Sequence, residues 1–180
     1  MNPALIETLR LAQRLGFFGD GAIERAVVHA EGFVAAIGEL PDRARIADLG
    51  SGGGLPGLVL AEHFREAAIL LVDRRRKRTD FLERAVRRLG YPHVAVFFGD
   101  AEMVGREVAS GQRQPFDVVT ARGFGPPLVT LSIAAALVAP DGRIVISEPP
   151  HGERWDAALL DRLGLRGTRV GGVRVFERFT

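Results

Sequence analysis

Cysteine is absent from this sequence of 180 residues, and several kinds of site are absent with it. A chain without thiols forms no disulfide bond, no thiolate zinc centre and no iron–sulfur cluster. It also has no cysteine nucleophile for covalent catalysis. We therefore expect a fold held by an apolar core, which a chain of this length can build without cross-links.

Long apolar runs are missing as well. No stretch reaches the roughly 18 residues that a membrane-spanning helix needs. The first residues, Met1 to Glu7, do not place an apolar segment after a basic one, as a signal peptide would. We therefore expect a chain that works in the cytoplasm and does not bind membranes.

Lysine is almost absent, since Lys77 is the one lysine among 24 basic residues and the others are arginines. Arginine suits contacts with phosphates and stacked bases because its planar guanidinium is always charged. A genome rich in G and C would produce the same bias. The net charge is only +2, so composition alone leaves the partner open.

The pattern of apolar residues predicts an α/β fold. Between residues 4 and 40, apolar residues recur every three or four positions, as on the buried face of a helix. From Arg45 onward, short continuous apolar stretches alternate with helical segments, as in a parallel sheet buried on both faces. We expect one structural unit with a Rossmann-like, mostly parallel sheet. Its parts are a helical cap at 1–44 and a ligand-binding domain at 45–180.

The chain can be divided further into individual elements. The predicted strands lie at 46–49, 68–73, 93–98, 117–120 and 143–147, with one or two more within 168–179. The main predicted helices after the cap lie at 78–89, 129–138 and 155–163.

A glycine-rich turn follows the first predicted strand. Its spacing of Gly52, Gly54 and Gly57 matches G-x-G-x-x-G, which also occurs in dinucleotide sites. Asp48 favours S-adenosylmethionine (SAM) instead, because a carboxylate accepts a hydrogen bond from its ammonium group and repels a pyrophosphate. We predict a class I SAM-dependent methyltransferase, with a dinucleotide site or a turn without ligand as alternatives. The predicted contacts here are Asp48, Gly50, Ser51, Gly52, Gly54, Leu55 and Pro56.

Two further acidic residues end the next two strands. Asp73 ends the second strand, where it can accept hydrogen bonds from both ribose hydroxyls of SAM, or of NAD. Asp100, Ala101 and Glu102 follow the third strand, at the edge where adenine would lie. Capping of the helix that starts at Ala101 is the alternative role for Asp100.

Three segments resemble motifs of one family. The turn from Asp48 to Gly57 resembles the first motif of the ribosomal RNA small-subunit methyltransferase G family, also called glucose-inhibited division protein B. Asp73 with Lys77-Arg78 and Phe81-Leu82 resembles the second motif, an acid followed by K-R-x-x-F-L. The segment 116–124 resembles the fourth-strand motif F-D-x-x-x-x-R-A-F. The resemblance extends from about Ile46 to Ser147.

This resemblance implies SAM-dependent methylation of N7 of a guanine in small-subunit (16S) ribosomal RNA. Free ribosomal RNA or the small ribosomal subunit would be the partner, no metal would be needed, and we expect a monomer. Arg122 would position the substrate at the reacting end, and Phe124 would either stack on the base or belong to the core. From the basic run at 74–88 we expect RNA contacts by Arg75, Lys77 and Arg78.

The sequence departs from the family pattern at two places. Where the family often has a lysine–glycine pair, this chain has Ser147-Glu148, so we expect a negative charge at the substrate edge. We find no N-L-T-A-like segment before Ile46. A small-molecule methyltransferase and a SAM-binding protein without catalysis therefore stay open. For His29, which precedes the first strand, we expect a structural role with its hydrogen bonds satisfied.

Overall fold

The computed structural model describes residues 2–149 and 154–179, and within them seven helices pack around a seven-stranded sheet. The helices are α1 (Pro3–Arg14), α2 (Ile23–Ile37), α3 (Gly57–His63), α4 (Arg76–Leu89), α5 (Ala101–Ala109), α6 (Pro127–Leu137) and α7 (Ala157–Leu163). The strands are β1 (Arg45–Leu49), β2 (Ala68–Asp73), β3 (Val94–Phe98), β4 (Phe116–Ala121), β5 (Val138–Ser147), β6 (Leu165–Val170) and β7 (Val173–Arg178).

The sheet is mostly parallel, which confirms the predicted fold class. Its strand order is β3-β2-β1-β4-β5-β7-β6, and β1 to β5 pair in parallel. Only β7 runs antiparallel to both of its neighbours. The direction of winding reverses between β1 and β4. Ligands of open α/β sheets bind beside such a reversal, at the carboxyl ends of the strands.

Two strands begin three or more residues before the predicted position. β5 begins at Val138, not at residue 143, and includes Pro140-Asp141-Gly142, which follows the predicted helix at 129–138. Val138 pairs with Phe116, and the register then shifts so that Arg143 pairs with Val118. A bulge of this kind inserts unpaired residues into a strand, so turn-forming residues can lie within it. β6 also begins three residues earlier than expected, at Leu165.

The core has one apolar layer on each face of the sheet. Ile46 packs with α1–α4, whereas its neighbour Ala47 packs with α5–α7, because successive strand residues point to opposite faces. Leu5 of α1 and Phe33 of α2 are fully buried in the first layer. The N-terminal helices therefore share their core with the sheet. No described helix is long and apolar enough to cross a membrane.

Candidate active site

A cavity of about 400 Å³, which we call the main cavity, lies at the carboxyl ends of β1, β2 and β3. The loop between β4 and α6 closes its other side. The predicted site residues that line it are Gly50, Asp73, Arg75, Arg78, Asp100, Ala101, Glu102 and Phe124. The structure thus brings together residues from four separate segments of the chain, at the position that the strand order indicates.

The glycine turn forms one end of the main cavity. Its Ser51 amide donates to the carbonyl of Val72 at 3.0 Å, which fixes the turn to β2. Gly50 has a φ of +68°, a conformation that favours glycine. A Cβ at Gly50 would lie 2.8 Å from the ring of Phe124, so the ring covers this residue closely.

The remaining predicted residues of the turn lie beneath the cavity and do not line it. Ser51, Gly52, Gly54, Leu55 and Pro56 are all buried. The Ser51 hydroxyl donates to the carbonyl of Asp48 at 2.8 Å, and so it supports the turn from within.

Asp73 is 96% buried and connects the turn to the start of α4. One carboxylate oxygen accepts a hydrogen bond from the Gly52 amide, and the other accepts one from the Arg75 amide, both at 2.9 Å. The Arg78 guanidinium lies 3.6 Å away. Each carboxylate oxygen has a second lone pair, so Asp73 can still accept a hydrogen bond from a ligand in the cavity.

Asp48 is fully buried behind the turn. Burial raises the pKa of its carboxyl group from 3.8 to about 6, although the Thr120 hydroxyl, which donates to Oδ1 at 2.8 Å, opposes this change. Oδ2 has no hydrogen-bond partner of full geometry among the described residues, although the backbone amide of Gly57 acts on this carboxylate and lowers its pKa. Asp48 does not line the main cavity, so its contact with a cationic group of a ligand stays a prediction.

Replacing Asp48 with asparagine should remove a pH dependence of stability. A carboxyl group with a raised pKa favours the folded state below pH 3.8, and this contribution is lost as the pH rises through about 6. A tenfold change in proton affinity corresponds to about 1.4 kcal/mol, and the unfolded carboxyl group is already more than half ionised at pH 4, so the difference in unfolding free energy between wild type and D48N should fall by about 2 kcal/mol from pH 4 to pH 7. Urea denaturation across this range measures it. A constant difference would contradict the raised pKa.

The acidic residues after β3 form the opposite wall of the main cavity. Asp100 occupies the N-cap position of α5, but its side chain makes no capping hydrogen bond. The alternative role in capping is therefore wrong, and the carboxylate is available to the cavity. Glu102 lies in the first turn of the same helix and is exposed. Val129 and Ile133 of α6 provide the apolar part of the wall.

The basic run starts at the wall of the main cavity, which Arg74, Arg75 and Arg78 line. Arg74, Arg75, Arg76 and Lys77 are all exposed. Arg76 also lies over the ring of Phe98, with its guanidinium 4.1 Å from the ring centre. Arg88, at the far end of α4, pairs with Glu7 at 3.2 Å. The exposed positive charge is thus densest next to the cavity, in residues 74–77.

Arg122 and Phe124 lie near different cavities although only Gly123 separates them. Phe124 lines the main cavity. Arg122 is half-buried and lines a second cavity, which we call the side cavity, together with Phe18, Arg25 and His29. Burial lowers the pKa of Arg122, and the carboxylate of Asp48 acts in the opposite direction. The charges of Arg122 and Asp48 are thus near enough to shift each other's pKa.

Sequence reasoning missed the contributions of Phe18 and Arg25 to the side cavity. His29 meets only part of its expectation, because its ring has a hydrogen bond with the backbone of Gly172, whereas its buried Nδ1 has no hydrogen-bond partner among the described residues. In the sequence, the only sign of this cavity is the segment 17–21, whose two glycines interrupt the helical pattern of the N-terminal region. Such a break does not show where the loop packs.

Glu148 does not present a negative charge to the substrate edge, so that expectation is wrong. Its carboxylate is completely buried. It accepts a hydrogen bond from the Trp155 indole at 2.8 Å and lies 3.2 Å from Arg174 and 3.6 Å from Arg154. Its own amide donates to the carbonyl of Gly172 in the β6–β7 turn. Glu148 thus joins β5 to the C-terminal strands.

Replacing Glu148 with glutamine should lower the free energy of unfolding by about 3 kcal/mol. The substitution keeps the shape but leaves two guanidinium groups beside an uncharged amide, and breaking a buried ion pair is costly. Urea denaturation followed by circular dichroism measures the loss. Glu177→Gln is the control, because Glu177 is exposed on β7, and it should change stability by less than about 0.5 kcal/mol. Equal effects of the two substitutions would contradict this role.

Metal ligands form no cluster in the part of the chain that the structure describes. Within residues 2–149 and 154–179, no group of three or more His, Asp or Glu side chains could hold a metal ion.

Solved structures with this fold include several methyltransferases. A SAM-dependent methyltransferase from Aquifex aeolicus superposes with a TM-score of 0.59 and 16% identity, covering 98% of this chain and 96% of that chain. An rRNA methylase from Streptococcus thermophilus superposes with a TM-score of 0.61 and 16% identity, covering 89% and 100%. At such low identity the likeness concerns the fold alone.

Sequence similarity is more specific. The ribosomal RNA small subunit methyltransferase G of Cupriavidus necator is 34% identical over 138 residues, which are 77% of this chain and 55% of that protein. The chain spans about half the length of the curated relatives that it matches. The model of the family GidB, rRNA small subunit methyltransferase G, matches residues 23–152. Since this match includes well over half of the sequence, the chain belongs to the GidB family.

Proposed function

We propose that this chain transfers a methyl group from SAM to N7 of a guanine in small-subunit ribosomal RNA. The observation that carries the proposal is the main cavity at the reversal of strand order. In this cavity Asp73, Asp100 and Glu102 line the wall beside the glycine turn. Membership of the GidB family supports the choice of acceptor.

The residues of the main cavity fit SAM. Asp73 would accept hydrogen bonds from the ribose hydroxyls, and Asp100, whose side chain makes no capping bond, would accept one from the adenine amino group. The unpaired Oδ2 of Asp48 would accept from the ammonium group, directly or through water. Ser51, Gly52, Gly54, Leu55 and Pro56 would hold the turn in the shape that these contacts need.

The chemistry at guanine N7 makes few demands on the protein. When bound, SAM supplies a methyl group on a positively charged sulfur, which an in-plane nitrogen lone pair can accept without prior deprotonation. No general base is required, so the contribution of the chain is to bring the two reactants together in the correct orientation. Arg122 is the residue that we assign to this task, through a hydrogen bond to guanine O6 or to a phosphate.

The surface around the main cavity suits an RNA partner. Arg74, Arg75 and Arg78 line the main cavity, the neighbouring Arg76 and Lys77 are exposed, and neutralised phosphates provide most of the affinity in such complexes. A ribosomal RNA acceptor would place the reaction in the cytoplasm.

Methyl transfer from radiolabelled SAM tests the proposal. The acceptors are small ribosomal subunits and naked small-subunit RNA, both taken from a strain that lacks the gene for this protein. Borohydride and aniline cleave RNA at 7-methylguanine, so primer extension locates the modified base. Label at one guanine N7 supports the proposal. Label absent from both acceptors, with SAM binding shown separately, would overturn the RNA acceptor and favour the small-molecule or non-catalytic alternative.

A further inference from the structure

The side cavity has a volume of about 320 Å³ and lies beside the glycine turn. Arg122 contributes to it from the end of β4, and the other lining residues belong to α1, α2 and the segment between them. The Gln13 amide holds this segment by donating to the carbonyls of Gly19 and Gly21 at 2.9 and 2.6 Å.

The side cavity approaches the main cavity at the glycine turn. A Cβ at Gly53 would lie 2.6 Å from the ring of Phe18, which lines the side cavity. Gly50, three residues earlier, lines the main cavity. Arg122 is close enough to influence the pKa of Asp48 at the start of the turn. The two cavities therefore lie on either side of the same short segment, as a methyl donor and its acceptor must.

The two cavities differ in charge. The main cavity is lined by three carboxylates, from Asp73, Asp100 and Glu102, and by three guanidinium groups that balance them, from Arg74, Arg75 and Arg78. None of the described residues that line the side cavity is acidic, whereas two of them, Arg25 and Arg122, carry guanidinium groups. The net positive charge of the side cavity therefore suits a phosphate.

His29 adds a different property to the side cavity. Burial, and then the charge of Arg122, lower the pKa of its ring below the usual 6.5, so the imidazole is neutral at pH 7. A C–H carbon and Nε2 of the ring lie close to Gly172, and Nδ1 has no hydrogen-bond partner among the described residues. A neutral ring nitrogen of this kind can accept from the N–H groups of a guanine without adding charge.

The geometry of RNA restricts how N7 can reach this site. In an A-form helix, N7 lies in a major groove that is deep and narrow, and side chains cannot enter it. Enzymes that modify a base solve this problem by acting on unpaired nucleotides or by extruding the target from its stack. The acceptor must then enter a cavity of its own, next to the methyl donor.

We propose that the side cavity receives one extruded guanine nucleotide of the RNA. Arg122 donates to the base at O6, Arg25 at the exposed end of the cavity binds a flanking phosphate, and Phe18 supports the base between the two sites. This inference rests on the proposed function and assigns its acceptor site. It also removes Phe124 from the acceptor site, since that ring lies in the main cavity.

Arg25→Gln tests the phosphate contact. Arg25 is exposed on α2, so its replacement should leave SAM affinity within twofold of wild type and raise the KM for RNA about tenfold, as expected for one charged hydrogen bond. Arg106→Gln is the matched control, because Arg106 is exposed on α5, on the other face of the sheet. Phe18→Leu should lower the rate of methyl transfer at saturating RNA. Wild-type kinetics in both Arg25→Gln and Phe18→Leu would overturn the acceptor site.

A cross-linking experiment separates failure of this site from failure of the proposed function. RNA in which 6-thioguanosine replaces the target guanosine is irradiated on the protein, and mass spectrometry locates the linked residue. Links within residues 13–29 or to Arg122 support the side cavity. If the wild-type chain methylates RNA but links form at Phe124 or residues 74–78, the function stands and the site is wrong. If no RNA is methylated, the function fails, and the acceptor site fails with it.

Discussion

Replacing Asp73 with asparagine should weaken SAM binding tenfold or more. The wild-type carboxylate holds the amides of Gly52 and Arg75 at 2.9 Å and lies at the cavity wall. Asparagine has one acceptor oxygen, so its NH₂ group must face one of these two amide donors. The variant thus loses a charged acceptor for the ribose, worth roughly 1.5–3 kcal/mol, and also one anchor of the turn. Equilibrium dialysis with labelled SAM measures the affinity.

Two measurements make the Asp73 result specific. Glu83→Gln removes an exposed carboxylate from α4 and should leave the affinity unchanged. Circular dichroism should show the same fold content for D73N and wild type, since the substitution preserves the side-chain shape. Unchanged SAM affinity in D73N would remove Asp73 from the binding site, and with it the proposed orientation of the ribose.

Replacing Arg122 should have its effect on methyl transfer and not on SAM binding. Arg122 lines the side cavity and is absent from the wall of the main cavity. Loss of one preorganised donor at a reacting group typically lowers the rate by 10²–10³-fold, so we expect about a hundredfold loss in Arg122→Ala. Single-turnover transfer from labelled SAM to RNA measures this rate, and dialysis with SAM alone provides the comparison.

Arg122→Lys distinguishes the shape of the group from its charge. Lysine retains a positive charge near the buried carboxylate of Asp48 but lacks the planar pair of donors. We expect Arg122→Ala to lower the free energy of unfolding and Arg122→Lys to restore it. The rate of methyl transfer in Arg122→Lys should stay nearly as low as in Arg122→Ala. If lysine restores the rate fully, Arg122 acts only through its charge. A wild-type rate in the alanine variant would mean that the substrate does not meet Arg122.

The fold was largely predictable because its signals are local. Each strand from β1 to β4 is a short apolar stretch, and β1, β2 and β3 are followed by a glycine or an acidic residue that marks the edge of the sheet. Parallel pairing then brings these edges together. This is why Gly50, Asp73 and Asp100 were predicted to meet although about 50 residues separate the first from the last.

The site was less predictable where it depends on packing between distant segments. Glu148 reads as an exposed acid after a strand, and only the fold shows that Arg174 and Trp155 enclose it. From the sequence, Phe18 is one of two aromatic residues in the segment between two predicted helices. Only the fold shows that its ring lies on Gly53. In both cases the partner is more than five residues away, and nothing in the sequence indicates that the two residues meet.

The rings that cover the glycine turn also affect how related chains could be recombined. Phe18 of the N-terminal region covers Gly53, and Phe124 of the β4–α6 loop covers Gly50, each at less than 3 Å from the position of a Cβ. A chimera that takes its first two helices from one relative and its sheet from another must therefore match residue 18 to the space above residue 53. The boundary between the helical cap and the sheet is therefore a poor position at which to join the sequences of two relatives. A better position lies beyond β4, where both rings and the turn would be exchanged as one block.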